Sequence, residues 1–133
     1  MKIVVGYDGS DGAKRALERA ARLDGGDPIT VVSVHEVHVS TGRGPARVDE
    51  AEKAEREKEL AEAAGILRAH GAEARPVHGH GDPARAISEE AEATGADLIV
   101  VGTHGRGAFG RAVLGSVSTK LVHRAPCDVL VVR

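Results

Sequence analysis

The segment Val100 to Ser118, VVGTHGRGAFGRAVLGSVS, sets five glycines, one histidine, two arginines and three hydroxyl residues behind an apolar run. These residue types suit the holding of an anion. Glycines lack a Cβ, so their backbone N–H groups can approach a phosphate closely and the chain can take positive φ. A helix beginning at the far end of the segment adds unpaired N–H groups and the positive end of its dipole. Three phosphate-binding patterns compete. Gly105, Gly107 and Gly110 satisfy G-x-G-x-x-G, but the acidic residue expected at the end of the next strand is missing, because Asp128 stands at that strand's start. Gly105 and Gly110 also have P-loop spacing, yet Arg111 and Ala112 occupy the Lys and Ser/Thr positions, which removes the usual magnesium ligand. The third pattern fits in full: Gly102, two residues, Gly105, nine residues, Gly115, then Ser116. Gly102 and Gly105 then form one wall of a phosphate cradle, and Gly115 and Ser116 form the other, with Arg106 and Arg111 at its rim.

Four apolar runs rich in β-branched residues, KIVV, ITVVSV, DLIVV and DVLVV, read as strands buried on both faces of a mostly parallel sheet. A weaker strand, AEARPVH, precedes the third helix. Ala13, Ala16, Leu17, Ala20 and Leu23 recur at helical spacing behind Ser10, an N-cap residue. The charged stretch from Asp49 to His70 opens in capping-box spacing and predicts a solvated amphipathic helix with Ala61, Ala64 and Leu67 on one side. Asp82 and Pro83 start the next helix, whose stripe is Ala84, Ile87 and Ala91 and whose end is marked by Gly95. Ser116 is expected to cap a last helix carrying Val117, Leu121 and Ala125, ended by Pro126. Only VHVSTGRGPARV resembles a flexible connection.

The order β-α-β-α-β-α-β-α-β predicts an α/β fold with helices on both faces of an open, five-stranded parallel sheet. With right-handed crossovers, a chain that winds outward on one side of the first strand and returns to its other side gives the expected strand order 3-2-1-4-5. Ligands of such sheets bind at the carboxyl ends of the strands where winding reverses, here the first and fourth. The loops there read GYDGSDG and GTHGRG.

Those residues carry a family resemblance. The Gly102 to Ser116 pattern, with VVGYDGS at the start, VHEV after the second strand, GDPARAISEEAEATGADLIVVGTHGRG and the ending APCDVLVVR, resembles the universal stress protein family, in its ATP-binding subgroup. The resemblance spans residues 1–133 as one domain and implies a Rossmann-like fold akin to the adenine nucleotide alpha hydrolases. It implies a regulatory protein of the stress response that binds ATP, or AMP or ADP, as a signal. It places Asp8 near the ribose and a nucleotide-bound Mg²⁺ or Mn²⁺, held in part through water. Gly102, His104 and Gly105 border ribose and phosphates, and Gly115, Ser116, Val117 and Ser118 line the phosphates. Adenine packs near Val101 and the end of the second strand. Two positions depart from the family: Glu36 stands where an apolar residue commonly meets the base, and Gly6 replaces a frequent proline. The resemblance also implies a homodimer through Asp128 to Arg133, an apolar run at a sheet edge.

Composition sets the remaining expectations. The formal charge of −2 gives no footprint for nucleic acid. The start MKIVVGYDGS has too short an apolar run for a signal peptide or a membrane span, so a cytoplasmic chain is expected. Cys127, the one cysteine, excludes an intrachain disulfide and reads as a structural thiol. Of the seven histidines, His35 and His38 fall on opposite strand faces, and His78 and His80 share a face without an evident third ligand. No general base is fixed in the cradle, so at most weak ATP hydrolysis is expected. Two other readings are a dimeric interaction module that binds no nucleotide and an ATP pyrophosphatase or adenylating ligase; the latter wants a Ser-Gly-Gly loop after the first strand, where YDGSDG stands.

Overall fold

The computed structural model describes residues 1–23, 26–34, 50–103 and 114–133. Nine elements alternate along the chain: β1 (Ile3–Tyr7), α1 (Asp11–Arg22), β2 (Ile29–Ser33), α2 (Glu50–Ala69), β3 (Ala74–His78), α3 (Pro83–Thr94), β4 (Leu98–Gly102), α4 (Ser116–Arg124) and β5 (Asp128–Val132). The five strands form one sheet in the order β3-β2-β1-β4-β5. All four pairings are parallel, with Val5 beside Val31 and Val100 at the centre. The expected strand order is therefore the observed one.

Period-two alternation divides the core between the two faces. Ile3, Val5, Tyr7, Ile29, Val31 and Val100 pack under Ala13, Ala16, Leu17 and Ala20 of α1 and Leu60, Ala63 and Leu67 of α2. Val4, Val32, Ile99 and Val101 pack on the opposite side under Ala84, Ile87 and Ala91 of α3 and Leu121 of α4. Small alanines at most helix contacts let these helices sit close to a sheet that carries only one aromatic side chain, Tyr7.

Helix ends follow local chemistry. The Ser10 hydroxyl accepts from Ala13 N at 3.2 Å and caps α1. Asp82 accepts from Arg85 N at 3.1 Å and caps α3, with Pro83 just inside and Gly95 closing the end at φ 65°. Two expectations need correction. The stripe of α2 is Leu60, Ala63 and Leu67, all in its second half, while Ala61 is exposed and Ala64 only half-buried. The N-cap of α4 is Gly115 rather than Ser116. Gly115 N is drawn to the Thr103 carbonyl at 2.6 Å and Gly115 O accepts from Thr119 N at 3.0 Å, so the first helical bond begins one residue earlier.

Candidate functional site

The strand order brings the carboxyl ends of β1 and β4 side by side, with the N-termini of α1 and α4 above them. After Tyr7 the chain turns through Asp8, whose Oδ1 accepts from Ser10 N at 2.9 Å, and Gly9, at φ 81°. The Asp8 carboxylate is thereby fixed at the mouth of the crevice as part of a turn. It does not cap α1, since Ser10 does so.

Beyond β4 the backbone is tied on both sides. Thr103 N donates to Val132 O at 3.1 Å, and Thr103 O accepts from Gly115 N. The Ser118 hydroxyl, only 2% exposed, lies 3.2 Å from Thr103 O and 3.0 Å from Gly115 O. Ser118 thus fastens the start of α4 to the end of β4, and its hydroxyl is turned to backbone carbonyls. Ser116 is exposed at the first helical position and Val117 is half-buried. Helices leave their first N–H groups without intrahelical partners. In α1 and α3 a side chain of the cap residue accepts from one of them, whereas the cap of α4 is a glycine that offers no side-chain acceptor. The first turn of α1 carries Asp11 and follows Asp8, while that of α4 carries no acid. An anion is therefore favoured at α4 and a cation or hydroxyl donor beside Asp8.

Of the residues singled out from sequence, Asp8, Gly102, Gly115, Ser116, Val117 and Ser118 meet around these two strand ends. Gly6 and Val101 lie one step deeper on the α3 side. Val101 is 4% exposed within the apolar cluster, and a Cβ on Gly6 would stand 2.6 Å from Ile87 Cδ1. Both serve packing beneath the crevice floor. A Cβ on Gly102 would stand 2.6 Å from the carbonyl carbon of Gly12 and 2.8 Å from its oxygen. The missing Cβ of Gly102 therefore serves the protein's own packing, letting the first turn of α1 rest on the end of β4. Glu36, His104, Gly105 and Arg106 lie outside the described residues, as do Gly107, Gly110, Arg111, His35 and His38.

Sequence reasoning missed the polar group beneath Asp8. Tyr7, wholly buried at the end of β1, donates its hydroxyl to Glu62 Oε1 of α2 at 2.6 Å, and Lys14 Nζ of α1 lies 3.3 Å from the same oxygen. Burial, then the Glu62 bond, pushes the Tyr7 phenol far above its ordinary range. The Tyr7 hydroxyl, and after it Lys14, holds the Glu62 carboxyl below the usual carboxylate range. A buried tyrosine needs a partner for its hydroxyl, so Tyr7 was the available signal, though nothing local names Glu62. Cys127 is half-buried, and burial raises its thiol, so it is held protonated and inert. Among the described residues no group of three or more His, Cys, Asp or Glu could hold a metal ion, and no helix is long and apolar enough to cross a membrane.

The family model described as "Universal stress protein family" matches residues 1–133. A universal stress protein of Thermus aquaticus is 43% identical over 136 residues, covering 98% of this chain and 97% of that protein. One from Methanocaldococcus jannaschii is 34% identical over 138 residues, covering 99% and 81%. Among solved structures, the universal stress protein of Archaeoglobus fulgidus in complex with dAMP aligns with a TM-score of 0.75 at 29% identity, covering 100% of this chain and 98% of that one. A universal stress protein in complex with cAMP aligns with a TM-score of 0.72 at 31% identity, covering 100% and 97%. A family match over the whole sequence, relatives of similar length and the shared parallel sheet agree: the chain belongs to the universal stress protein family.

Proposed function

We propose that this protein is a cytoplasmic, ATP-binding regulator of the stress response, with the nucleotide held between the Asp8 turn and the loop from Gly102 to Ser116. The observation that carries this reading is the N-terminus of α4. It stands at the carboxyl end of β4, the strand beside β1 and its Asp8 turn, with a glycine cap, no side-chain acceptor and no acid in its first turn. Phosphates lie against α4, and the ribose hydroxyls and a phosphate-bound Mg²⁺ or Mn²⁺ lie toward Asp8. The chemistry of the site fits such a metal, because Asp8 offers a hard carboxylate oxygen and nucleotide and water supply the remaining ligands. The dAMP and cAMP complexes of two related proteins support the adenine nucleotide class. His104, Gly105 and Arg106 complete the phosphate wall in this reading, and Glu36 neighbours the base. The protein uses ATP as a bound signal and hydrolyses it weakly at most.

The test is release and titration. Acid denaturation of the purified protein, followed by chromatography, identifies any nucleotide carried through purification. The stripped protein is then titrated with ATP, AMP, dAMP and cAMP, with and without Mg²⁺, while its thermal stability is followed. A ligand at 100 times its dissociation constant adds about 2.7 kcal/mol, which for a domain of this size raises the midpoint by on the order of 10 °C. Absence of any adenine nucleotide, and of any shift, would overturn the reading and leave a dimeric interaction module.

A further inference from the structure

Lys120 of α4 is a cation that nothing above has used. Lys120 sits four residues after Ser116, so the two share a stripe of the helix. Side chains of a helix lean toward its N-terminus, so the Lys120 stem runs toward the end of α4 where the phosphates of the proposed nucleotide lie. Its ammonium is held by an anion of the protein itself: Lys120 Nζ lies 2.9 Å from Asp82 Oδ1. Asp82 caps α3 through its other oxygen, which accepts from Arg85 N. Both side chains are close to half exposed, 49% for Lys120 and 44% for Asp82. Water screens such a pair, and it contributes little to stability. A phosphate dianion arriving at the end of α4 presents more charge and more acceptor oxygens than one carboxylate. The pair is thus a weak contact, in which Asp82 competes with a ligand for Lys120.

We propose that Lys120 is a specificity-determining residue of the nucleotide site, partitioned between Asp82 and the ligand's phosphates, so that it favours adenine nucleotides in proportion to their phosphate charge. The inference rests on the nucleotide reading given above and adds to it a residue and a direction of preference. Lys120 moves from Asp82 to the phosphates when ATP binds and contributes nothing to adenosine. Asp82 lowers affinity by competing for the ammonium and by its own negative charge near the phosphates. Arg124, the other cation whose charge acts on Asp82, lies a further turn along α4 and stays with it. The contact between α3 and α4 through Lys120 loosens on binding, which gives the protein an empty and a filled state that differ on this surface.

The test compares the wild type, Lys120→Gln and Asp82→Asn in calorimetric titrations with adenosine, AMP and ATP, at low and high salt. Gln keeps the length and helix propensity of Lys120, and Asn keeps the N-cap of α3, so both variants fold. Lys120→Gln is expected to weaken ATP by about fivefold, AMP by less and adenosine not at all, whereas Asp82→Asn tightens ATP. Both effects shrink at high salt. A mere strut between α3 and α4 gives a different pattern: the two variants change affinity with the same sign and by the same factor for every ligand, and that result overturns the proposal. Equal wild-type affinity for adenosine and ATP also overturns it while leaving the nucleotide reading standing. Wild-type protein that binds none of the three removes the nucleotide reading, and the role of Lys120 with it.

Discussion

At the scale of single residues, two glycines of the site region do different work, and the difference is measurable. Gly102 closes β4 against backbone: its absent Cβ would meet Gly12 carbon at 2.6 Å, oxygen at 2.8 Å and Cα at 3.0 Å. Backbone in the first turn of a helix cannot give way unless α1 moves off the sheet. Gly102→Ala should therefore cost about 1–3 kcal/mol, the usual range for overpacking, and weaken nucleotide binding because the Asp8 turn moves with α1. Gly6→Ala places its methyl against Ile87 Cδ1 at 2.6 Å and Val101 Cγ1 at 3.2 Å. The nearest atom is the far end of the Ile87 side chain, which can shift more easily than backbone, so the cost there should be smaller than at Gly102, with binding retained. Urea unfolding of both variants, with ATP titrations, checks the contrast; equal losses would show that α1 yields as easily as a side chain. The spacing of the glycine pattern pointed to the end of β4 and the start of α4, but Gly102's reason for being glycine lay in Gly12, far upstream and brought near only by the fold.

Among elements, the two sheet edges are unlike each other. β3 presents Arg75 and Pro76, both exposed, and proline has no N–H to offer a new strand. β5 presents Val129, Leu130 and Val131, only half-buried, with no such blunting residue among them. Pairing of two copies along β5 covers that row, and we expect a homodimer through Asp128 to Arg133. Val131→Lys should give monomer or aggregate in size-exclusion chromatography with light scattering, with circular dichroism retained in the soluble fraction; an unchanged dimer would remove β5 as the interface. Elements of this kind were legible because their signals are local. Unbroken β-branched runs marked buried strands, Ser10 and Asp82 marked helix starts, and the parallel order followed from crossover handedness. The start of α4 was off by one residue because Gly115 is fixed by a bond to Thr103, across a loop that helix-capping rules do not see. The α2 stripe was misplaced because its alanines offer several near-equivalent faces, and only packing chose Leu60, Ala63 and Leu67.

For the molecule as a whole, tying elements together through Tyr7 and Glu62 makes stability depend on pH at both extremes. Glu62 and Asp82 are both held below their ordinary range, so their contributions are present above about pH 4 and are lost as pH falls through the folded values. Both are well exposed, 43% and 44%, and each contributes less than about 1 kcal/mol after screening. The alkaline side is the sharper test. Tyr7 is the only tyrosine of the chain and is wholly buried with its phenol raised. Its contribution is complete below the unfolded value of about 10 and declines as pH rises above it, by about 1.4 kcal/mol per pH unit, until the folded phenol itself ionises. Tyrosinate absorbance should therefore stay flat in the folded protein beyond pH 10 or so and rise only in step with unfolding. In Tyr7→Phe the hydroxyl bond is lost, about 1 kcal/mol at neutral pH, and the alkaline decline becomes shallower, because no phenol is left to ionise in the unfolded chain. A phenol that titrates freely near its ordinary value while circular dichroism remains native would show that Tyr7 is open to water, and the link from β1 through Glu62 to α2 would then not hold the Asp8 turn in place.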